Sequence, residues 1–438
     1  MLPNRQSLRI ANPALLMSVL LIISLATACG GVSASHSKPT PTPTPTAGSP
    51  SPSPSPAPSP SPPPSPSPSP SPSPSPTPSP GSAPAAKFVY ALDANLVGDP
   101  SIAAFAFNNS TGAISQIAGS PFPLAPHTHV ETMTATPATA FVYTADWFDK
   151  VIQVFRADPT TGALTQTTTV ATPELQLPLK MLTDPNGKFL FISDLNGFQV
   201  AVYTINSDGS LTPVAGSPFK ASQALTQITI DKAANLLYAS GDNMVFGFSI
   251  ASDGSLTSIP GATVTVRPAF FNPDKGPTNV GVAVDPAGKF LFVGDTTTQN
   301  TWVYAIASDG SLSQVQGSPF HTPGNGGVDI VSVDGNFLFG GGGAEVDVAQ
   351  IHSDGSLAEV PGSPFPNGPF NNGGAPVFAL ATDPQGKFLL LADTEQSEIT
   401  VFSINSSSGA LTNVPGSPFQ VAPQPIGGGS PSTIVVTY

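Results

Sequence analysis

The chain of 438 residues has a single cysteine, which excludes a disulfide framework and any zinc site built on several thiolates. Charge is scarce as well. Only 9% of residues are charged, with 14 Lys and Arg against 27 Asp and Glu, for a net charge of −13. So few cations leave no electrostatic footprint for nucleic acid, and such partners are excluded. Histidine (5 residues) and tryptophan (2 residues) are rare, so their positions carry weight. Beyond the first thirty residues no apolar run reaches the length of a membrane-crossing helix, and no segment shows a convincing helical period.

Proline is where the chain is rich. Of its 53 prolines, 22 fall within residues 39–84. Alternating Thr-Pro and Ser-Pro fixes φ and removes backbone donors, so the stretch builds no core and favours extended polyproline II. At full extension it reaches on the order of 140 Å. Residues 30–86 therefore read as a disordered Pro-rich linker, a stalk whose Ser and Thr also admit glycosylation. Ahead of it, residues 1–29 read as an export signal. Arg5 and Arg9 give a positive start, 10–25 is mostly apolar, and Leu25-Ala26-Thr27-Ala28 leads to Cys29. This segment resembles a lipoprotein signal with its lipobox. The resemblance implies lipidation of Cys29, a membrane partner through that anchor, and an exported protein held in the cell envelope; the plainer alternative is an uncleaved anchor or an ordinary secretory signal. Gly30 and Gly31 leave no Asp retention signal after the cysteine, and resemblance to Gram-negative lipoproteins then implies the outer membrane or cell surface.

Residues 87–438 carry a repeat. Strand phrases begin at Phe88, Phe141, Phe189, Leu236, Phe290, Phe337 and Phe388, 47 to 54 residues apart. An Asp-Gly-Ser-Leu turn stands at Asp208, Asp253, Asp309 and Asp354, with relatives at Thr111, Thr161 and Ser408. Gly-Ser-Pro-Phe occurs five times, at Gly119, Gly216, Gly317, Gly362 and Gly416. Each unit holds about four short strands; in the third they are expected at 180–183, 189–193, 200–205 and 211–215. Seven such units predict an all-β fold, a seven-bladed β-propeller of four-stranded blades. The first unit lacks its innermost strand, and the chain ends on a lone strand at 433–438. That strand is expected to join the first blade and close the ring, leaving no free edge.

Loops between strands one and two, and between three and four, are short turns such as Asp184-Pro185-Asn186-Gly187. That face reads as structural. The opposite face carries the variable connections, at 122–130, 172–179, 263–278, 321–327 and 366–375, and function is expected there, around the channel mouth.

His127 and His129, in Pro126-His127-Thr128-His129, lead into the innermost strand of the second blade, with Glu131 close behind. Two apart on an extended segment, both imidazoles share a side, which suits a general base or a metal-ligand pair. The plainer reading is loop histidines bonded to backbone. Lys180 begins the innermost strand of the third blade, and Arg267 sits in the longest upper loop. Either can stabilise a carboxylate or a developing oxyanion, or simply be a solvated or paired cation. A recurring acid ends the second strand: Asp93, Asp146, Asp194, Asp295 and Asp393. Such a ring suits Ca²⁺, although an Asp there more commonly bonds its own turn. No cofactor is required by these residues, and a divalent cation is the one candidate. Trp147 and Trp302 lie on or near the upper loops.

The repeats, together with Pro126-His127-Thr128-His129, resemble the seven-bladed lactonase family, which includes bacterial 6-phosphogluconolactonases and fungal carboxymuconate-lactonising enzymes. The phrases Phe88-Val89-Tyr90 and Phe141-Val142-Tyr143-Thr144 also look like the YVTN-type repeats of surface propellers. The resemblance spans 87–438 and implies a carboxylic ester hydrolase that opens a lactone ring. It matches His127 and His129, sets Pro178-Leu179-Lys180 where the family places Pro-Arg-His, and makes Asp194 the nearby acid. An exported domain poor in cations argues against a sugar phosphate as substrate. The alternative is a non-catalytic cell-surface propeller that binds a glycan, peptide or envelope partner. A monomer is expected.

Overall fold

Each repeat folds into one antiparallel sheet. In the third, Pro178–Thr183 pairs Phe189–Asp194, which pairs Gln199–Ile205, which pairs Leu211–Pro213. Six further sheets repeat this order, giving the expected seven-bladed propeller. The computed structural model describes residues 85–438 except 95–98, 126–128, 139, 232–234, 242, 267–279, 296–297, 323–327, 333, 342–344, 367–376, 394–396 and 422–430. The expected export signal, Cys29 and the linker lie outside the described residues. The second strands Phe88–Asp93, Phe141–Asp146 and Phe189–Asp194 are buried along their whole length. A sheet packed between two neighbours hides both faces, so these strands read as continuous apolar runs rather than alternating ones.

The outer strand differs from expectation. In the third blade it stops at Pro213, and a two-residue piece, Phe219–Lys220, rejoins the third strand at Gln199 and Val200. Between them stand Gly216 at positive φ and a cis Ser217–Pro218 bond. The interruption would leave the Val202 N–H without a ladder carbonyl; instead it donates to Ser217 Oγ at 2.8 Å. Ser120, Ser318, Ser363 and Ser417 do the same for Ala104, Val303, Val348 and Val401. Gly-Ser-Pro-Phe is thus a break in the outer strand whose serine replaces the missing acceptor. The fourth blade makes the break with Gly261 and Ala262 before Val264–Thr265. The second blade lacks the motif, and its outer strand, Leu164–Ala171, runs unbroken.

Blades are joined by an aromatic ring laid on a turn glycine. Gly209, at φ 88°, lies under Phe141 so closely that a Cβ would sit 2.4 Å from the ring. The pattern repeats at Gly162, Gly254, Gly355 and Gly409, Leu236 and Ile259 take the place of the ring at Gly310, and Phe388 on Gly112 carries it from the seventh blade to the first. Tyr90, Tyr143 and Tyr238 add hydroxyl donation to the turn carbonyls of Gly162, Gly209 and Gly310, at 2.9, 3.1 and 2.8 Å. The C-terminal strand Pro431–Thr437 pairs with Phe88–Asp93 from Thr437 to Pro431, closing the ring as expected while starting two residues earlier than the sequence suggested.

Neighbouring inner strands meet around the channel. Between the second and third blades, the Met181 N–H donates to Thr132 Oγ1, and Thr183 Oγ1 donates to the Ala135 carbonyl, both at 3.1 Å. Inner strands of blades 1, 2, 3, 4 and 7 shift register at one common point, opposite the end of the second strand. The extra residue there is Ser432, Glu131, Leu179 and Thr226 in blades 1 to 4.

Candidate functional site

A β-bulge re-aims a side chain, and in the second blade it re-aims the one acid among those four residues, Glu131. Glu131 is half-buried at the head of the inner strand Val130–Ala135. Desolvation pushes its carboxyl above the usual 4.5, while the Trp147 indole N–H and the charge of His129 act against that rise. The indole nitrogen approaches the carboxylate without reaching normal hydrogen-bond geometry.

His129 is held by backbone. Its N–H donates to Asp146 Oδ2 at 3.3 Å, and its carbonyl accepts the Trp147 N–H at 3.2 Å. Asp146 also accepts from the N–H groups of Phe148 and Asp149 at 2.8 and 3.1 Å, which fixes the loop after its strand. The imidazole then lies 5.3 Å from the Trp147 ring and 5.2 Å from the Phe148 ring. Phe148 is 64% exposed, and Phe198 in the matching loop of the third blade is 45% exposed. Phe198 holds a φ of 52°, a left-handed conformation that is uncommon for a bulky side chain.

Lys180 lies in the third blade immediately after the bulged Leu179, opposite Ser193. It is half-buried and ringed by protein, and desolvation holds its ammonium below the usual 10.5. Glu131 and Lys180 each precede by one residue a partner of the Thr132–Met181 bond, so they head adjacent inner strands at one mouth of the channel.

The structure therefore gathers His129, Glu131 and Trp147, with Lys180 on the next blade. It does not bring Asp194 to them as a free acid. Asp194 is fully buried and accepts from the N–H groups of Gln176, Leu177 and Gly197 and from Gln199 Nε2, at 2.8 to 3.1 Å. Asp295 likewise takes the Thr298 hydroxyl at 2.9 Å. These carboxylates anchor loops. Among the described residues no three His, Cys, Asp or Glu side chains form a metal-holding group. His127 and Arg267 lie outside the described residues. Sequence reasoning gave Glu131 no role and overlooked Phe148 and Phe198. The signals were present: an acid beginning an inner strand beside a histidine, and aromatics at turn positions.

A seven-bladed propeller with a histidine, a desolvated acid and a desolvated lysine at one channel mouth defines the class. The chain belongs to the family described as lactonase, 7-bladed beta-propeller, whose model matches residues 74–339. Solved structures share its fold. A candidate 6-phosphogluconolactonase of Bacteroides uniformis is 18% identical with a TM-score of 0.64, over 81% of this chain and 99% of that one. The periplasmic gluconolactonase of Pseudomonas aeruginosa is 18% identical, with a TM-score of 0.61 and coverages of 81% and 99%. A Lactobacillus plantarum protein is 13% identical, with a TM-score of 0.61 and coverages of 81% and 100%. No curated protein sequence matches the chain.

Proposed function

We propose that the chain is an exported lactone hydrolase acting at the channel mouth of blades 2 and 3. The observation that carries this reading is the desolvated Glu131 carboxylate beside His129, one blade from Lys180. A carboxyl whose proton affinity is raised is a stronger general base. Glu131, or His129 in its neutral form, takes a proton from water as that water adds to the lactone carbonyl. Lys180, as an ammonium, stabilises the oxyanion that forms. Collapse breaks the ring C–O bond, the proton returns to the departing alkoxide, and a hydroxy acid leaves. His127 and Arg267 supply a second base and a second cation. Cys29 carries the lipid anchor, residues 30–86 hold the propeller off the membrane, and the substrate is a lactone found outside the cytoplasm rather than a sugar phosphate.

The test is proton release by the purified protein against sugar and aliphatic lactones, beside Glu131→Gln and a His127→Ala/His129→Ala double variant. Turnover lost in both variants supports the assignment. Turnover unchanged in both overturns it. A second reading rests on the exposed Phe148 and Phe198: a non-catalytic surface propeller that holds a glycan or peptide across these rings. No turnover on any lactone, with glycan binding lost in Phe148→Ala, would favour that reading.

A further inference from the structure

Blade 2 carries a buried polar pair. Thr144 and Gln153 stand directly opposite each other on its second and third strands, Phe141–Asp146 and Val151–Ala157. They are 0% and 1% exposed. The Thr144 hydroxyl and both ends of the Gln153 amide lack a hydrogen-bond partner among the described residues. At the same register position blade 1 has Ala91 and Ala103, blade 3 has Ile192 and Ala201, and blade 4 has Ala239 and Phe246, while blade 6 has Gly340 and Asp347. Apolar pairs fill this place in blades 1, 3 and 4, so a buried Thr–Gln pair is not a general demand of the fold.

Alternation along a strand puts Thr144 on the same face as Val142 and Asp146. Val142 and Phe155 belong to the core that blade 2 shares with Tyr90 and Ile102 of blade 1. The pair therefore faces the interface between blades 1 and 2. It lies one pleat below Asp146, the carboxylate that accepts from the His129 backbone. A threonine hydroxyl can donate and accept, and so can a glutamine amide. Their common partner must do both and must be small enough for a closed, otherwise apolar interface. Water meets both conditions.

We infer that blade 2 encloses an ordered water bound by Thr144 Oγ1 and the Gln153 amide, beneath the Glu131–His129 cluster. That position also lets the water approach Asp146 Oδ2, whose contact with the His129 N–H is long at 3.3 Å. The inference does not depend on whether the protein hydrolyses anything.

Thermal unfolding of the wild-type protein, Thr144→Val, Gln153→Leu and the double variant tests it, together with a crystal structure in which waters are visible. A bridging water couples the two residues. Each single variant strands the water and the remaining polar group, and so lowers Tm. The double variant replaces all three with apolar volume and recovers most of that loss. The crystal structure is expected to show an oxygen at about 3 Å from both groups. If both single variants instead raise Tm and the gains add, the groups are orphans and the inference fails. It fails equally if the crystal shows the hydroxyl and the amide bonded directly to each other.

Discussion

Blades 2 and 3 share a strand order, a bulge at the same point of the inner strand, and a buried carboxylate ending the second strand. They differ in what fills those places. Blade 3 bulges with Leu179, satisfies Asp194 with four donors and breaks its outer strand with Gly-Ser-Pro-Phe. Blade 2 bulges with Glu131, follows its carboxylate with Trp147 and Phe148, buries Thr144 and Gln153, and keeps an unbroken outer strand. The repeated features are those that hold a blade to its neighbours. The departures collect on one blade, next to the channel mouth. Chemistry in a repeat protein is to be sought where a unit stops resembling its sisters.

The comparison breaks first at Glu131. Glu131→Gln is expected to lower lactone turnover by about 10²–10⁴-fold, measured by proton release, while the matched change Leu179→Gln in blade 3 leaves the chemical step intact. Equal losses in both would deny blade 2 its special place.

Next come the turns that join the blades. Gly209→Ala meets the Phe141 ring and a positive φ together and should cost about 3 kcal/mol; Gly216→Ala has the same φ but room beside Phe219, and should cost about 1 kcal/mol. Urea unfolding of the two variants decides the ranking.

Smaller effects appear in pH dependence. The folded Glu131 binds its proton more tightly than the unfolded chain does, so its contribution to stability falls as pH rises from about 4.5 toward its higher folded value. Glu131→Gln should flatten that part of a Tm–pH curve. Lys180 has the opposite sign of shift with the opposite charge. Its folded pKa lies below 10.5, so stability rises with pH between the two values, and Lys180→Met should raise Tm at neutral pH and remove the alkaline gain. As small as the effect of Gly216→Ala is that of Ser217→Ala, which strands the Val202 N–H and should cost about 1 kcal/mol in the same unfolding assay.

Much of the architecture was legible. The spacing of Phe88, Phe141, Phe189 and their relatives counted the blades, and the unpaired strand at the C-terminus foretold the closure. The outer strand was misread because Val214 and Ala215 continue an apolar pattern, while the chain turns away at Gly216, at positive φ, and Ser217 takes over the Val202 N–H. At the candidate site, His129 and Lys180 were singled out by residue type, and Asp194 for its recurrence. That Asp194 is consumed by loop N–H groups follows from where 176, 177 and 197 fold back, which no local pattern records.

The sequence by itself determined the repeat, the number of blades, the turn chemistry and the poverty of cations, because each is written in local composition and spacing. Only the tertiary structure decided which acid heads an inner strand at a bulge, which is locked in a loop, and in which direction Glu131 and Lys180 shift from their ordinary proton affinities. Register between strands and loss of water are set by neighbours distant in sequence, and these govern where a side chain points and how strongly it holds its charge.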